Sequence, residues 1–286
     1  MAASLPSCPE RSSRANILLK YGVGSNPTTL SWEALEIILA TATSVGPSGS
    51  DSSTLSGGLL KCEQGGCILI KGGHQFVEKE EVVLSSIGPQ LIIAGGENAV
   101  MKSRALSSAL RISTGGTSLI ISCLSVLAEG EPARTRGRAA IPAKPAQSAV
   151  LVRNSEQVVL NNCYVFGGSK CGLLLSSNSE VKLLKGTIVD RSQGFGVSIG
   201  IHSLLYMEDS IVKLAQDTGI ICSGKGSLLE ATRSQILSCA NCGVAVQDGG
   251  NGRLSHCEVK ASGVSGVMAA GGAMCTVQDS IISGNT

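Results

Sequence analysis

A self-similar block recurs every 23 or 24 residues through the C-terminal half of the chain, and a period of that length constrains the fold before any motif is read. The block heads are Gly172, Gly196, Gly219, Gly243 and Gly266, spaced 24, 23, 24 and 23 residues apart, with Ala149 holding the place 23 before the first. Each head opens an apolar pair on one side of a pleat: Leu173 and Leu175, Val197 and Ile199, Ile220 and Cys222, Val244 and Val246, Val267 and Ala269. A second pair follows a polar turn, as in Val158 and Leu160, Val181 and Leu183, Leu205 and Met207, Leu229 and Ala231, and Cys275 and Val277. One β-branched residue per block marks a third strand: Val165, Ile188, Ile211, Ile236, Val259 and Ile281. Three strands in 23 residues leave no room for a helix, so each block is one coil of a parallel solenoid whose like residues stack at about 4.8 Å. The small residues four after each third-strand anchor, Ser169, Ser192, Ala215, Ala240, Gly263 and Asn285, are expected to line a tight corner. Periods and anchors of helical repeats or propeller blades are not present.

With these blocks the chain resembles the right-handed parallel β-helix proteins of the pectin-lyase-like superfamily. Within them it is most similar to the non-catalytic β-helix repeats of certain F-box substrate receptors and SHC-binding proteins, whose blocks read Gly-Ile-x-Val, a turn, then a polar residue two before Ile. Here that element is Asp209-Ser210-Ile211, Asp279-Ser280-Ile281, Ser234-Gln235-Ile236 and Cys257-Glu258-Val259. The run Ile68-Leu69-Ile70-Lys71-Gly72-Gly73 leading to Phe76 and Glu78 approximates the entry coil of many such folds. The resemblance implies an all-β, right-handed parallel β-helix with three strands per 23–24-residue coil.

The continuous period predicts one elongated solenoid over 66–286 behind an N-terminal extension, 1–65. In the extension, Ser31 can cap a helix within 30–43, with Glu33 in its first turn, and such a helix would cover the open end of the solenoid. The Ser/Gly-rich stretch 44–58 reads as a flexible linker or loop. Between the coils carrying Val126 and Val165, the anchors lie 39 apart, so the stack is expected to expel a basic, proline-containing insertion near 129–147 with Arg134, Arg136, Arg138 and Lys144.

A net charge of +2, from 23 basic and 21 acidic residues, gives no drive toward nucleic acid or an anionic membrane. No apolar run approaches the ~20 residues of a spanning helix, and residues 1–14 are too polar for a secretory signal, which predicts a cytoplasmic protein. Eleven cysteines, an odd number in a chain this long, read as reduced and mostly buried thiols acting as small hydrophobes.

Each chemical motif fails on context. Gly219 to Gly226 nearly spells a phosphate loop, but Gly226 lacks the hydroxyl that holds magnesium and no strand–loop–helix surrounds it. Gly196-Val197-Ser198-Ile199-Gly200 spells a nucleophile elbow, with His202 nearby, yet aligns with strands in every other coil. Cys62 with Cys67, and Cys239 with Cys242, fall in distant coils, as do His74, His202 and His256, so neither zinc nor another metal is expected. A lyase or hydrolase on this fold needs clustered carboxylates. Asp190, Asp209, Asp217, Asp248 and Asp279 mostly take different repeat positions, and Asp209 and Asp279 stand three coils apart, on the order of 14 Å. Asp190-Arg191 is the best polar pair for an active face and reads as a solvated turn. Tyr164, Phe166, Phe195 and Tyr206 offer a small aromatic patch on neighbouring coils.

The reading is a non-catalytic scaffold that presents a long flat face to another protein, with no assigned catalytic, cofactor or metal residues and no cofactor. The alternative is a carbohydrate-active lyase or hydrolase with a polysaccharide ligand. The N-terminal region shows no F-box pattern.

Overall fold

The computed structural model describes residues 42–47, 49–62, 66–85, 90–116, 118–128, 135–136, 139–140 and 146–286. They form a right-handed β-solenoid of about nine turns, three-faced, with every interstrand pairing between coils parallel. A representative coil places Glu180–Leu184 on a first face, Ile188–Asp190 on a second and Phe195–Ile199 on a third. In the N-terminal half the first two faces run through single long strands, Gln90–Ser103 and Ser118–Ala128. The third face is an eight-stranded sheet.

Register is close to what the periodicity predicts. On the third face Leu173, Val197, Ile220, Val244 and Val267 stack in one row, and Leu175, Ile199, Cys222, Val246 and Ala269 in the next. On the first face Val158, Val181, Leu205, Leu229, Gly252 and Cys275 align. The second face corrects the expectation. Its inward row is Val165, Val189, Val212, Ile236, Val259 and Ile282, so Ile188, Ile211 and Ile281 point outward. A one-residue slip exchanges the two sides of a strand, and in three-residue strands with two adjacent β-branched residues the alternation alone does not choose between them. The corner row shifts likewise. Ser192 and Ala215 are buried as expected, but Cys239 and Ser262, not Ala240 and Gly263, continue the row.

The head glycines explain the corrected register. A Cβ on Gly196 would lie 2.5 Å from Val212 Cγ1 and 2.5 Å from the Gly219 carbonyl oxygen, and one on Gly243 would lie 2.3 Å from Val259 Cγ1 and 2.6 Å from the Gly266 oxygen. The inward valines of the second face thus sit directly on bare Cα atoms of the third. Between the first and second faces the chain turns through a left-handed residue in each coil, including Asn162, Asp209, Arg233, His256 and Asp279. Asn and Asp tolerate that region; Arg233 and His256 adopt it because the stack above and below dictates it. The next position carries a buried hydroxyl row: Cys163 N–H donates to Thr187 Oγ1, Ser210 N–H to Ser234 Oγ and Cys257 N–H to Ser280 Oγ. The polar element therefore aligns Asp209 with Arg233, His256 and Asp279, and Ser234 and Cys257 fall in the hydroxyl row.

At the N-terminal end, the stretch read as a linker is structured instead. Strand Thr43–Val45 pairs with Cys67–Ile70, and helix α1, Leu55–Lys61, follows it. Thr54 Oγ1 caps α1 by accepting from Gly57 N–H, and Glu78 accepts from Ser56 N–H. Leu55 enters the core, and Gly58 lets the helix approach Val45. Glycine and serine here serve close packing and capping, which composition does not distinguish from linker chemistry. The candidate helix within 30–43 lies outside the described residues but for Ala42 and Thr43, and Thr43 is in a strand. At the insertion, Thr135–Arg136 and Ala139–Ala140 pair antiparallel, while Ser148 to Val152 stay in register with both flanking strands of the third face.

Candidate functional site

The outward rows of the first face form the longest continuous surface. One row runs Cys67, Ile92, Ile120, Val159, Lys182, Tyr206, Glu230, Arg253, Thr276, each residue beside the next across a parallel strand pair. Its first four rungs are apolar. From Lys182 onward they are charged, aromatic or hydroxylated, and they interlock. Lys182 Nζ lies 3.7 Å from Glu180 and 5.7 Å above the Tyr206 ring centre. Arg253 Nη1 donates to Glu230 Oε1 at 2.7 Å. Burial, then the carboxylates of Glu180 and Glu230, pushes the Tyr206 phenol above its ordinary value, so it stays a neutral hydrogen-bonding group. At the adjoining corner Arg233 donates to Asp209 at 2.9 and 3.1 Å and also to Glu208. This hydrogen bond holds the Asp209 carboxyl below the usual range.

The second face carries a separate polar centre at Asp190, which sits between Phe166 and Lys213 in the strand stack. It was expected to be a solvated turn; instead it is 3% exposed. Tyr164 Oη donates to Asp190 Oδ2 at 2.6 Å, and the Tyr164 ring stacks on Phe166 with centroids 6.1 Å apart. Burial, with the Asp190 hydrogen bond second, raises the Tyr164 phenol to about 12. Arg191 Nε and Lys213 Nζ each lie 3.9 Å from the carboxylate, beyond hydrogen-bond reach, and Oδ1 has no hydrogen-bond partner. The rungs beside Asp190 are an aromatic and a lysine, so its geometry is that of one acceptor flanked by cations, not of two paired carboxyl groups.

The remaining sequence candidates disperse. Asp217 accepts from Asn241, Asp248 from Ser223, and Asp279 faces His256 at 3.9 Å. Ser198 lies within strand Phe195–Ile199, and Ile220–Ser223, from the phosphate-loop string, is also a strand. His74 stacks on Phe76, in a different coil from His202 and His256. Tyr164 and Phe166 share the second face, Tyr206 belongs to the first and Phe195 to the third, so the aromatic patch divides. Cys67, Cys163, Cys171, Cys222, Cys239, Cys242 and Cys257 are buried free thiols, and burial lifts Cys67, Cys163 and Cys171 to about 12, far from thiolate chemistry. No helix among the described residues is long and apolar enough to cross a membrane. The apolar-to-charged switch along the outward row was missed, although the sequence holds it at a fixed offset, one residue after each inward Val158-type position.

Residues 62–230 and 218–286 match the family model described as the right handed beta helix region. No curated protein matches the chain. Among solved structures, ORF18 of Geobacillus virus E2 is similar at 11% identity and a TM-score of 0.47, over 88% of this chain and 61% of that one. The chain thus spans less than two thirds of the viral protein's length. The Dettilon tailspike protein gp208 aligns at 11% identity and a TM-score of 0.40, covering 96% of this chain and 72% of that one. A pectin methylesterase in complex with hexasaccharide VII aligns at 12% identity and a TM-score of 0.37, covering 84% and 77%.

Proposed function

The chain belongs to the right-handed β-helix family, and on that premise we propose that it is a non-catalytic scaffold whose first face binds another protein in the cytoplasm. The observation that carries this reading is the interlocked run Lys182, Tyr206, Glu230 and Arg253. Its charges alternate, sit on consecutive coils and are held by one another, which is the arrangement of a pre-organised protein-recognition surface. Tyr and Arg are the residue types that most often anchor such contacts. The likeness of the repeats to those of F-box and SHC-binding proteins supports the same assignment.

A second reading, a carbohydrate-active lyase or hydrolase, draws on one observation, the open acceptor Asp190 Oδ1 beside an aromatic pair. The two are separated by a paired experiment. Purified protein is incubated with acidic and neutral polysaccharides, with and without calcium, and unsaturated products and new reducing ends are followed. In parallel, proteins captured by the wild type are compared with those captured by Tyr206→Ala, Arg253→Glu and, on the second face, Lys213→Glu. The scaffold reading expects no turnover and a partner lost at least tenfold with the first-face variants but retained with Lys213→Glu. Turnover abolished by Asp190→Asn contradicts it.

A further inference from the structure

The cations of the first and second faces are used differently. On the first face Arg253 donates to Glu230 at 2.7 Å and Arg233 to Asp209 at 2.9 and 3.1 Å. On the second, Arg191 and Lys213 stand by Asp190, each with a nitrogen 3.9 Å from a carboxylate oxygen, and neither side chain donates a hydrogen bond among the described residues. The backbone sets this arrangement. Arg191 turns its corner in the left-handed region, at φ 51°, and its N–H donates to the Lys213 carbonyl at 3.2 Å, so the two cations belong to adjoining coils. Tyr164 Oη already engages Asp190 Oδ2 at 2.6 Å. The Asp190 side chain is 4% exposed, whereas those of Arg191 and Lys213 are 63% and 34% exposed. Two cations on one buried carboxylate leave one positive charge at the surface, with N–H donors unspent.

Apolar side chains surround this charge. Ile188 and Ile211 follow Tyr164 in one outward row, and Phe166 and Leu237 bracket Asp190 and Lys213 in the other. All four are half-buried, and Leu214 at the adjoining corner is exposed. The other carboxylate in the described outward rows of this face, Glu258, is in contact with Lys260 and accepts from Gln235 Nε2 at 3.0 Å, so it is neutralised in place. From Phe166 to Leu237 the surface crosses three strand spacings, roughly 14 Å. We propose that this stretch of the second face docks an acidic peptide: one carboxylate of the peptide is taken by Arg191 and Lys213, and apolar side chains to either side of it rest on Phe166 with Ile188 and on Ile211 with Leu237. Charge complementarity selects the occupant. One carboxylate neutralises the charge that Asp190 leaves over, and a guanidinium can bind it through two parallel N–H donors. The aliphatic flanks call for apolar side chains, which a nucleic-acid backbone or a uronate chain does not offer. Asp190 acts as a positioning residue beneath the two cations. The site lies on a different face from the run Lys182 to Arg253 and does not depend on what that run binds.

Fluorescence anisotropy of the full chain is measured with labelled twelve-residue peptides in which one glutamate sits between leucines in a serine–glycine background, and with counterparts carrying glutamine or lysine in its place. The glutamate peptide should bind at least tenfold tighter than either counterpart, and more weakly as salt rises. Equal affinity for the glutamate and glutamine peptides, or saturable binding by neither, overturns the proposal. Lys213→Gln and Arg191→Gln should each weaken the glutamate peptide about tenfold, whereas Arg153→Gln, on the third face, should leave it unchanged. If a variant beside the buried carboxylate does not fold, Leu237→Glu tests the same surface with Asp190, Arg191 and Lys213 in place; a similar loss is expected, and unchanged affinity in the folded protein overturns the site. Loss with Arg253→Gln and retention with Lys213→Gln assigns the peptide to the first face and overturns the proposal, as does binding of polygalacturonate in place of the peptides.

Discussion

The two halves of the first face share one backbone and one interior but differ on the outside. From Cys67 to Val159 the outward row is apolar, and its side chains are buried or half-buried; from Lys182 to Arg253 it is charged and aromatic, with each charge held by a neighbour. Inside, both halves present stacked apolar residues, valines, leucines and isoleucines in the first and valine and leucines with Met207, Ala231 and Gly252 in the second. A parallel solenoid determines only its inward rows, because each coil must match the copies above and below. The outward rows are free to vary and therefore carry whatever distinguishes one stretch from another. The charged half is a polar surface tied together by its own pairs, and the apolar half is a dry strip, with Cys67, Ile92 and Ala94 buried.

The largest effect should come from the interior that the halves share, and it calibrates the rest. Gly219→Val places a branched side chain where even a Cβ would be 2.6 Å from the Gly243 oxygen and 2.7 Å from Ile236 Cγ2. Denaturant titration should show a loss of about 3 kcal/mol. Next, the same substitution at equivalent outward rungs should separate the halves. Ile92→Asp removes a buried apolar side chain and should destabilise by about 2 kcal/mol, whereas Tyr206→Asp should stay within about 0.5 kcal/mol. Equal losses at both rungs would break the comparison. A smaller change of opposite sign is expected for Asn161→Leu, which removes two unpartnered buried atoms and should stabilise by about 1 kcal/mol.

The smallest effect lies in the charged half and depends on pH. Arg233 holds the Asp209 carboxyl below its ordinary value of 3.8. A depressed folded value means that the pair stabilises above the unfolded value and that the contribution disappears as pH falls through the folded one. Both groups are exposed, so salt should screen it. In thermal melts from pH 6 to pH 2, the difference between wild type and Asp209→Asn should shrink toward zero at the acid end and in high salt. A difference that grows with acid would contradict the pairing.

Much of this was legible in the sequence, and the parts that were not have physical reasons. The period, the Gly172-to-Gly266 heads and the inward rows of the first and third faces follow from strands long enough to show alternation. Ile188 and Val189 are both β-branched in a three-residue strand, so alternation left a tie that Ile211 and Ile281 repeated. Even spacing would have broken it: the inward row 165, 189, 212, 236, 259, 282 advances by 24, 23, 24, 23 and 23, whereas the row first read advances by 23, 23, 25, 23 and 22. The burial of Asp190 was not legible, because it depends on Phe166 and Lys213 one coil to either side. The helix α1 escaped notice because the glycines that pack it against Val45 look like linker residues.

The most direct test of the divided face is a comparison of reactivity at two rungs of one row. Ile92→Cys and Tyr206→Cys put the same thiol at equivalent outward positions of the same face, and alkylation at each is followed by peptide mass. The thiol at 206 should react at the rate of an exposed cysteine, and the thiol at 92 should stay protected until the protein unfolds. Comparable rates at the two positions in the folded protein would contradict the division of the face into a buried apolar half and an accessible charged half.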